Sequence, residues 1–208
     1  MPKKKLTTQK SELPFPSLSR EELENLLSDL YVKFDNVRNF IDLRMTGDSR
    51  TLVNKYKKLI KNRLIEDIEE GTNGLDEALR AIRDFALHGP APHDQADVML
   101  FFVEIAVNCI NEFGDLYEEF YDEADDVYQE TLEFMKKHKL LNDFQTRCKK
   151  IVDESVDTGY GFHDSLGDTY YTYFPEGKIE RKTILVKKQV PMKQVKKSSP
   201  LRAGNSEL

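Results

Sequence analysis

The sequence predicts an all-α domain, and three observations carry that expectation. Apolar residues recur at three-and-four spacing through nearly every segment between Ser19 and Phe174. The segments are joined by short polar or glycine-containing turns, with no alternation of strand and helix that would make a βαβ fold. The third observation is Ala96 to Phe113, ADVMLFFVEIAVNCINEF, the most apolar run in the chain. Wound at 100° per residue, it is apolar nearly all round, which is the mark of a buried helix. The expected architecture is six long helices and one short one, packed as antiparallel pairs in a bundle or a short solenoid.

Residues 1–18 read as a flexible basic arm, with Pro14 and Pro16 stopping regular structure. Ser19-Arg-Glu-Glu22 is a capping box, in which the serine accepts from an early backbone N–H and the glutamate reaches back. Leu23, Leu26, Leu27, Leu30, Tyr31, Phe34, Val37, Phe40 and Ile41 then predict one long amphipathic helix, broken at Thr46-Gly47-Asp48. A second helix runs from near Asp48 to about Glu70, with Leu52, Val53, Tyr56, Leu59, Ile60, Leu64 and Ile68 on its inward stripe. Its lysines and arginines read as a solvated face. Thr72-Asn73-Gly74 turns the chain into a third helix ending near His88. Pro90 and Pro92 follow, and Asp94 is the expected cap of the central helix.

The central helix closes at Gly114, where a glycine suits a left-handed residue. A very acidic helix follows, from about Leu116 to Lys139, its acidic residues early and its lysines late, as the helix dipole favours. The sixth helix, about Asn142 to Val156, buries Phe144, Cys148, Ile151 and Val152. A short helix from about His163 to Phe174 closes the domain, set at residues 19–174. Residues 175–208 read as a basic, largely disordered tail, with Ile179 to Val186 as a short strand.

Composition bounds the function classes. The chain has 208 residues, 39% hydrophobic and 33% charged, and a net charge of −6. From Glu176 onward there are nine Lys/Arg and three Glu, a net of +6, so the first 175 residues carry −12. A basic tail offers a route to nucleic acid, but the acidic body repels phosphates, and a protein is the expected partner. The longest apolar run is interrupted by Glu104 and Asn108, so no membrane span is expected. The start, MPKKKLTTQK, lacks the apolar segment of a secretory signal. Cys109 and Cys148 form no close pair, which argues against a disulfide framework or a zinc knuckle and for a cytoplasmic setting. None of the four histidines has a glutamate three residues before it, so the helical di-metal motif is absent. Asp84 and His88 share a helix face, read as an exposed helix end and not as a metal site. No phosphate loop, serine elbow or Cys–His nucleophile is present, so no cofactor and no metal are expected.

Two constellations stand out as candidate sites. Asp97, Glu104, Asn108 and Asn111 fall on one stripe of the central helix, about 60° wide. Buried polar groups need partners, so this stripe faces water, satisfies a neighbour or lines a cleft. The second is Tyr160, His163 and Asp164 beside Gly159 and Gly161. We expect a tight aromatic loop with Phe162 buried, Tyr160 beside it, and Asp164 or Ser165 capping the last helix.

The segments ADVMLFFVEIAVNCINEFGDLYEEFYDEADDVYQETLEFMKKH and FQTRCKKIVDESVDTGYGFHDSLGDTYYTYF resemble an uncharacterised bacterial family of unknown function. Its members carry an FVE…FGD…EFY…GFHD order behind a basic KKKL arm. FGDLYEEFY and GYGFHDSL are the most specific parts, and the likeness covers most of residues 1–174. Thr131-Leu132 stands where the family has an alanine-leucine pair. The resemblance implies a helical fold and a cytoplasmic setting, and lends no catalytic residue or cofactor. The functional expectation is a non-catalytic protein-binding or adaptor module. The alternative is a small-molecule or metal-dependent enzyme using Glu104, Asn108 and Asn111.

Overall fold

A computed structural model describes residues 18–71, 74–114 and 116–175. The expected arm, the strand at Ile179 to Val186 and the basic tail beyond Pro175 lie outside the described residues, as do Thr72, Asn73 and Asp115. Within them the fold is all-α, 84% helical and without strands. The helices are α1 (Arg20–Lys33), α2 (Asp35–Thr46), α3 (Arg50–Glu70), α4 (Gly74–Leu87), α5 (Pro92–Phe113), α6 (Glu118–His138), α7 (Leu141–Glu154) and α8 (Phe162–Tyr173).

The central helix is α5. Eleven of its residues are buried, with Ala96, Val98, Leu100, Phe102, Val103 and Ala106 wholly enclosed. It packs against α3, α4, α6 and α7. The apolar circumference read from the sequence is thus met by four neighbouring helices. Every helix pair in substantial contact is one or two apart in chain order, the pattern of a short stacked array more than of a closed bundle. Gly114 ends α5 at φ 84°, with its N–H donating to Ile110 at 3.0 Å.

Three expectations need correction. Asp94 does not cap α5: Ala91 holds the cap position, Pro92 opens the first turn, and the Asp94 carboxylate instead accepts the Ser49 hydroxyl. Proline is pre-organised for that first turn because its missing N–H would have been unpaired there anyway. The carboxylate is thereby free to tie the start of α5 to the start of α3.

Second, the long first helix is two. Phe34 sits in extended backbone, φ −125° and ψ 112°, so the chain turns a corner there. Both helices use Phe34 as a terminal residue: its N–H donates to Leu30 at 3.0 Å and its carbonyl accepts from Arg38 at 3.0 Å. The Tyr31 hydroxyl donates to Asp42 at 2.8 Å and braces the corner.

Third, the apolar stripe of this first segment is not core. The capping box forms as expected, with Glu22 N–H to Ser19 Oγ at 3.3 Å and Ser19 N–H to Glu22 Oε2 at 2.7 Å. Yet neither α1 nor α2 contains a buried residue. Amphipathic spacing builds the helix and prepares a face for burial; here α1 and α2 cover each other in part, Leu43 reaches the core, and Leu23, Leu26, Leu27 and Phe40 stay exposed.

Candidate functional site

The polar stripe of α5 is positioned by the burial of everything around it, and its partner is Arg147, on the edge of the apolar face of α7. The Arg147 guanidinium donates to Glu104 through Nε at 2.8 Å and Nη2 at 2.9 Å, and to Asp97 through Nη1 at 2.6 Å. From the other side Lys57 of α3 donates to Asp97 at 2.7 Å. The four charges balance, and α3, α5 and α7 meet in them. Phe144 lies beneath the Arg147 guanidinium, 5.5 Å from it, and Phe101 beneath the Lys57 ammonium at 5.1 Å, which adds cation–π attraction to the pairs.

Burial opposes ionisation of Asp97, but the hydrogen bonds from Lys57 and Arg147 outweigh it and hold the carboxyl below its ordinary range. Burial also opposes the charge on Arg147, and its two carboxylates reverse that and raise its pKa. Both Glu104 oxygens are engaged by one guanidinium. The stripe therefore presents an ion network in which each Glu104 oxygen accepts from the Arg147 guanidinium.

Arg147→Ala would strand Asp97 and Glu104 in a half-buried setting. We expect a loss of about 1–3 kcal/mol, below the figure for a fully buried pair because each group keeps some solvent. Urea unfolding would check this, with Lys150→Ala, at an exposed position of the same helix, as the comparison.

Asn108 and Asn111 lie farther along the stripe and are exposed. Asn111 donates its amide to the Glu154 carbonyl at 2.8 Å, at the end of α7. Asn108 joins Lys61, Ile65, Ile105 and Cys109 along an open groove between α3 and α5. Cys109 is buried, and burial followed by the Glu112 charge pushes its thiol up to about 11, far from a reactive thiolate. Burial likewise pushes Cys148 up to about 12. The structure thus splits the four stripe residues: Asp97 and Glu104 share Arg147, while the two asparagines stand apart from it.

In the loop before α8, Phe162 is buried and meets Tyr121 edge to face at 5.5 Å. Tyr160 leans on the same Tyr121 at 4.9 Å but is 62% exposed. Tyr160 itself takes φ 56°, with Gly161 at 69°, so the unusual backbone falls on the tyrosine and the glycine after it. His163 Nδ1 and the buried Ser155 hydroxyl share a hydrogen bond of 3.0 Å, tying the end of α7 to the start of α8. The expected cap does not form. Gly161 holds that position without a side chain, Asp164 is exposed, and Ser165 donates instead to Asp125 of α6 at 2.7 Å. The other Asp125 oxygen is buried without a partner, and burial raises the pKa of that carboxyl. Tyr160, His163 and Asp164 are close in space only as neighbours in sequence; their polar groups do not converge.

A further site was missed in the sequence. His88 is 2% exposed, not the exposed helix end expected. Its Nε2 meets the Tyr56 hydroxyl at 2.8 Å, the Asn36 backbone hydrogen-bonds the ring, and burial lowers its pKa. Asn36, Val37, Phe40, Tyr56, Asp84, Leu87 and His88 line a cavity of about 350 Å³ between α2, α3 and α4. The available signal was the pairing of an inward Tyr56 with a histidine just past a helix end. Their separation of 32 residues hid it.

Among the described residues no three His, Cys, Asp or Glu side chains are grouped to hold a metal ion. No helix among them is long and apolar enough to cross a membrane. Comparison with curated proteins and with solved structures returns no match. Residues 3–172 match the model of a family of unknown function, DUF6155, and the chain belongs to that family.

Proposed function

We propose that this protein is a non-catalytic, cytoplasmic protein-binding module of bacterial origin, and that α1 is its docking element. The observation that carries the reading is the uncovered apolar side of that helix. Leu23, Leu26 and Leu27 are exposed, Leu27 to 54%, on a helix that is properly capped and buries nothing, and Phe34 at the corner after it is exposed as well. Contiguous apolar surface of this kind marks interaction sites. Its spacing fits a partner helix that lays its own apolar stripe along it. Glu21, Glu22 and Glu24 flank the stripe, so the partner helix is expected to carry basic residues beside its apolar ones. Both cysteines being free and buried agrees with a reducing compartment.

The test is Leu23→Glu/Leu27→Glu. Leu23 is 36% and Leu27 54% exposed, and neither belongs to the buried core, so stability should fall by no more than about 1 kcal/mol. A partner recovered with the wild-type protein, purified and titrated back, should bind the variant at least about tenfold more weakly. A truncation after Pro175 separates an external partner from the chain's own basic tail: if the tail covers α1, its removal strengthens partner binding. Unchanged binding by the double variant, or a large loss of stability in it, would overturn the assignment of α1.

A further inference from the structure

We propose that the cavity between α2, α3 and α4 is a binding site for a small amphipathic monoamine, independent of the docking face on α1. Its volume of about 350 Å³ lies at the lower end of the range of small-molecule sites. Its walls are mainly apolar, from Val37, Phe40 and Leu87. At its floor the two buried polar side chains are satisfied by each other and by the chain: Tyr56 bonds His88 Nε2, and the Asn36 backbone bonds the same ring. The floor therefore demands no hydrogen bond from a ligand and offers ring surfaces.

Asp84 differs from every other lining group. Its carboxylate is exposed and makes no hydrogen bond or ion pair with any described residue, while its charge reaches both Tyr56 and His88. A free carboxylate at the mouth of an apolar, aromatic-walled cavity selects a cation with an apolar body. The ammonium belongs at Asp84, and the body between Phe40, Val37 and Leu87. The Arg44 guanidinium already lies 5.3 Å from the centre of the Phe40 ring, so that ring offers the ligand's body apolar contact while Asp84 supplies the preference for charge. Arg44, over the Phe40 ring, and Lys55, whose charge reaches His88, both oppose cations, so the single Asp84 carboxylate can offset one ammonium and no more: the class is a monoamine and not a polyamine.

The probe is benzylamine, set against benzyl alcohol and benzoate, which share its ring and differ in charge. The His88 ring resonances report occupancy, and the melting temperature rises with any ligand that binds only the folded state. Benzylamine should shift the His88 signals saturably below about 10 mM and raise the melting temperature, with benzyl alcohol at least about tenfold weaker. Asp84→Asn, at an exposed position, should abolish that preference while leaving benzyl alcohol unaffected. Leu87→Ala, at a side chain 76% exposed, should weaken amine and alcohol alike. Absence of a saturable His88 shift, tighter binding of benzoate, or an unaltered amine affinity in Asp84→Asn would each overturn the proposal.

Discussion

Phe102→Ala lowers the stability of the domain by about 3–5 kcal/mol. Phe102 is wholly buried at the middle of α5, the helix that packs against four others. Removing its ring withdraws a large apolar surface from the core and leaves a cavity. Enclosed on several sides, that cavity cannot collapse without moving whole helices, and interiors packed at crystal density resist such movement. Phe101, the next residue, is only half-buried and lies under Lys57. Phe101→Ala should therefore cost clearly less. Urea unfolding of both variants reads the difference through the shift in midpoint at constant slope. A loss below about 1 kcal/mol for Phe102→Ala would mean that α5 is not the enclosed helix described.

Gly74→Ala costs at least about 3 kcal/mol, although the same change in an open helix would gain close to 1 kcal/mol from propensity. The reason is the close approach of the start of α4 to the end of α3. A Cβ at Gly74 would lie 2.0 Å from the Arg63 carbonyl oxygen and 2.7 Å from Asp67 Cβ. The nearer atom is backbone in the middle of a helix, so no rotamer change relieves the clash. The contact is fixed from both ends. Gly74 N–H donates to Asp67 Oδ1 at 3.0 Å, and the other oxygen of this buried aspartate accepts the Tyr117 hydroxyl, which joins the approach to α6. Thermal unfolding of Gly74→Ala should show a large drop or an unfolded chain. A variant as stable as the wild type would mean that α3 and α4 stand farther apart than described.

What the sequence reveals depends on how local each cause is. The enclosure of α5 was legible because an all-round apolar pattern has one physical solution, burial on every side. The stripe on α5 was legible for the same reason, as the gap in that pattern. Its occupant was not: Arg147 is 43 residues from Glu104 and 50 from Asp97, and only its place three residues after the inward Phe144 hinted that it points towards the core. The corner at Phe34 carried no signal, since neither glycine nor proline marks it and both flanking segments keep helical spacing. The exposure of Leu23, Leu26 and Leu27 was equally hidden. Periodicity shows that a helix has an apolar face, and says nothing of whether the same chain covers it. The family match adds the all-α domain's membership over residues 3–172 and leaves that question to experiment.

The separation of a stable core from an uncovered docking helix is tested most directly by native-state hydrogen exchange of the full chain alone. Amides of α5 should exchange only through global unfolding, while those of α1 open at a much smaller free energy, because α1 buries no side chain. Equal protection of α1 and α5 would show that the leucine face is covered in the free protein, and would contradict the account.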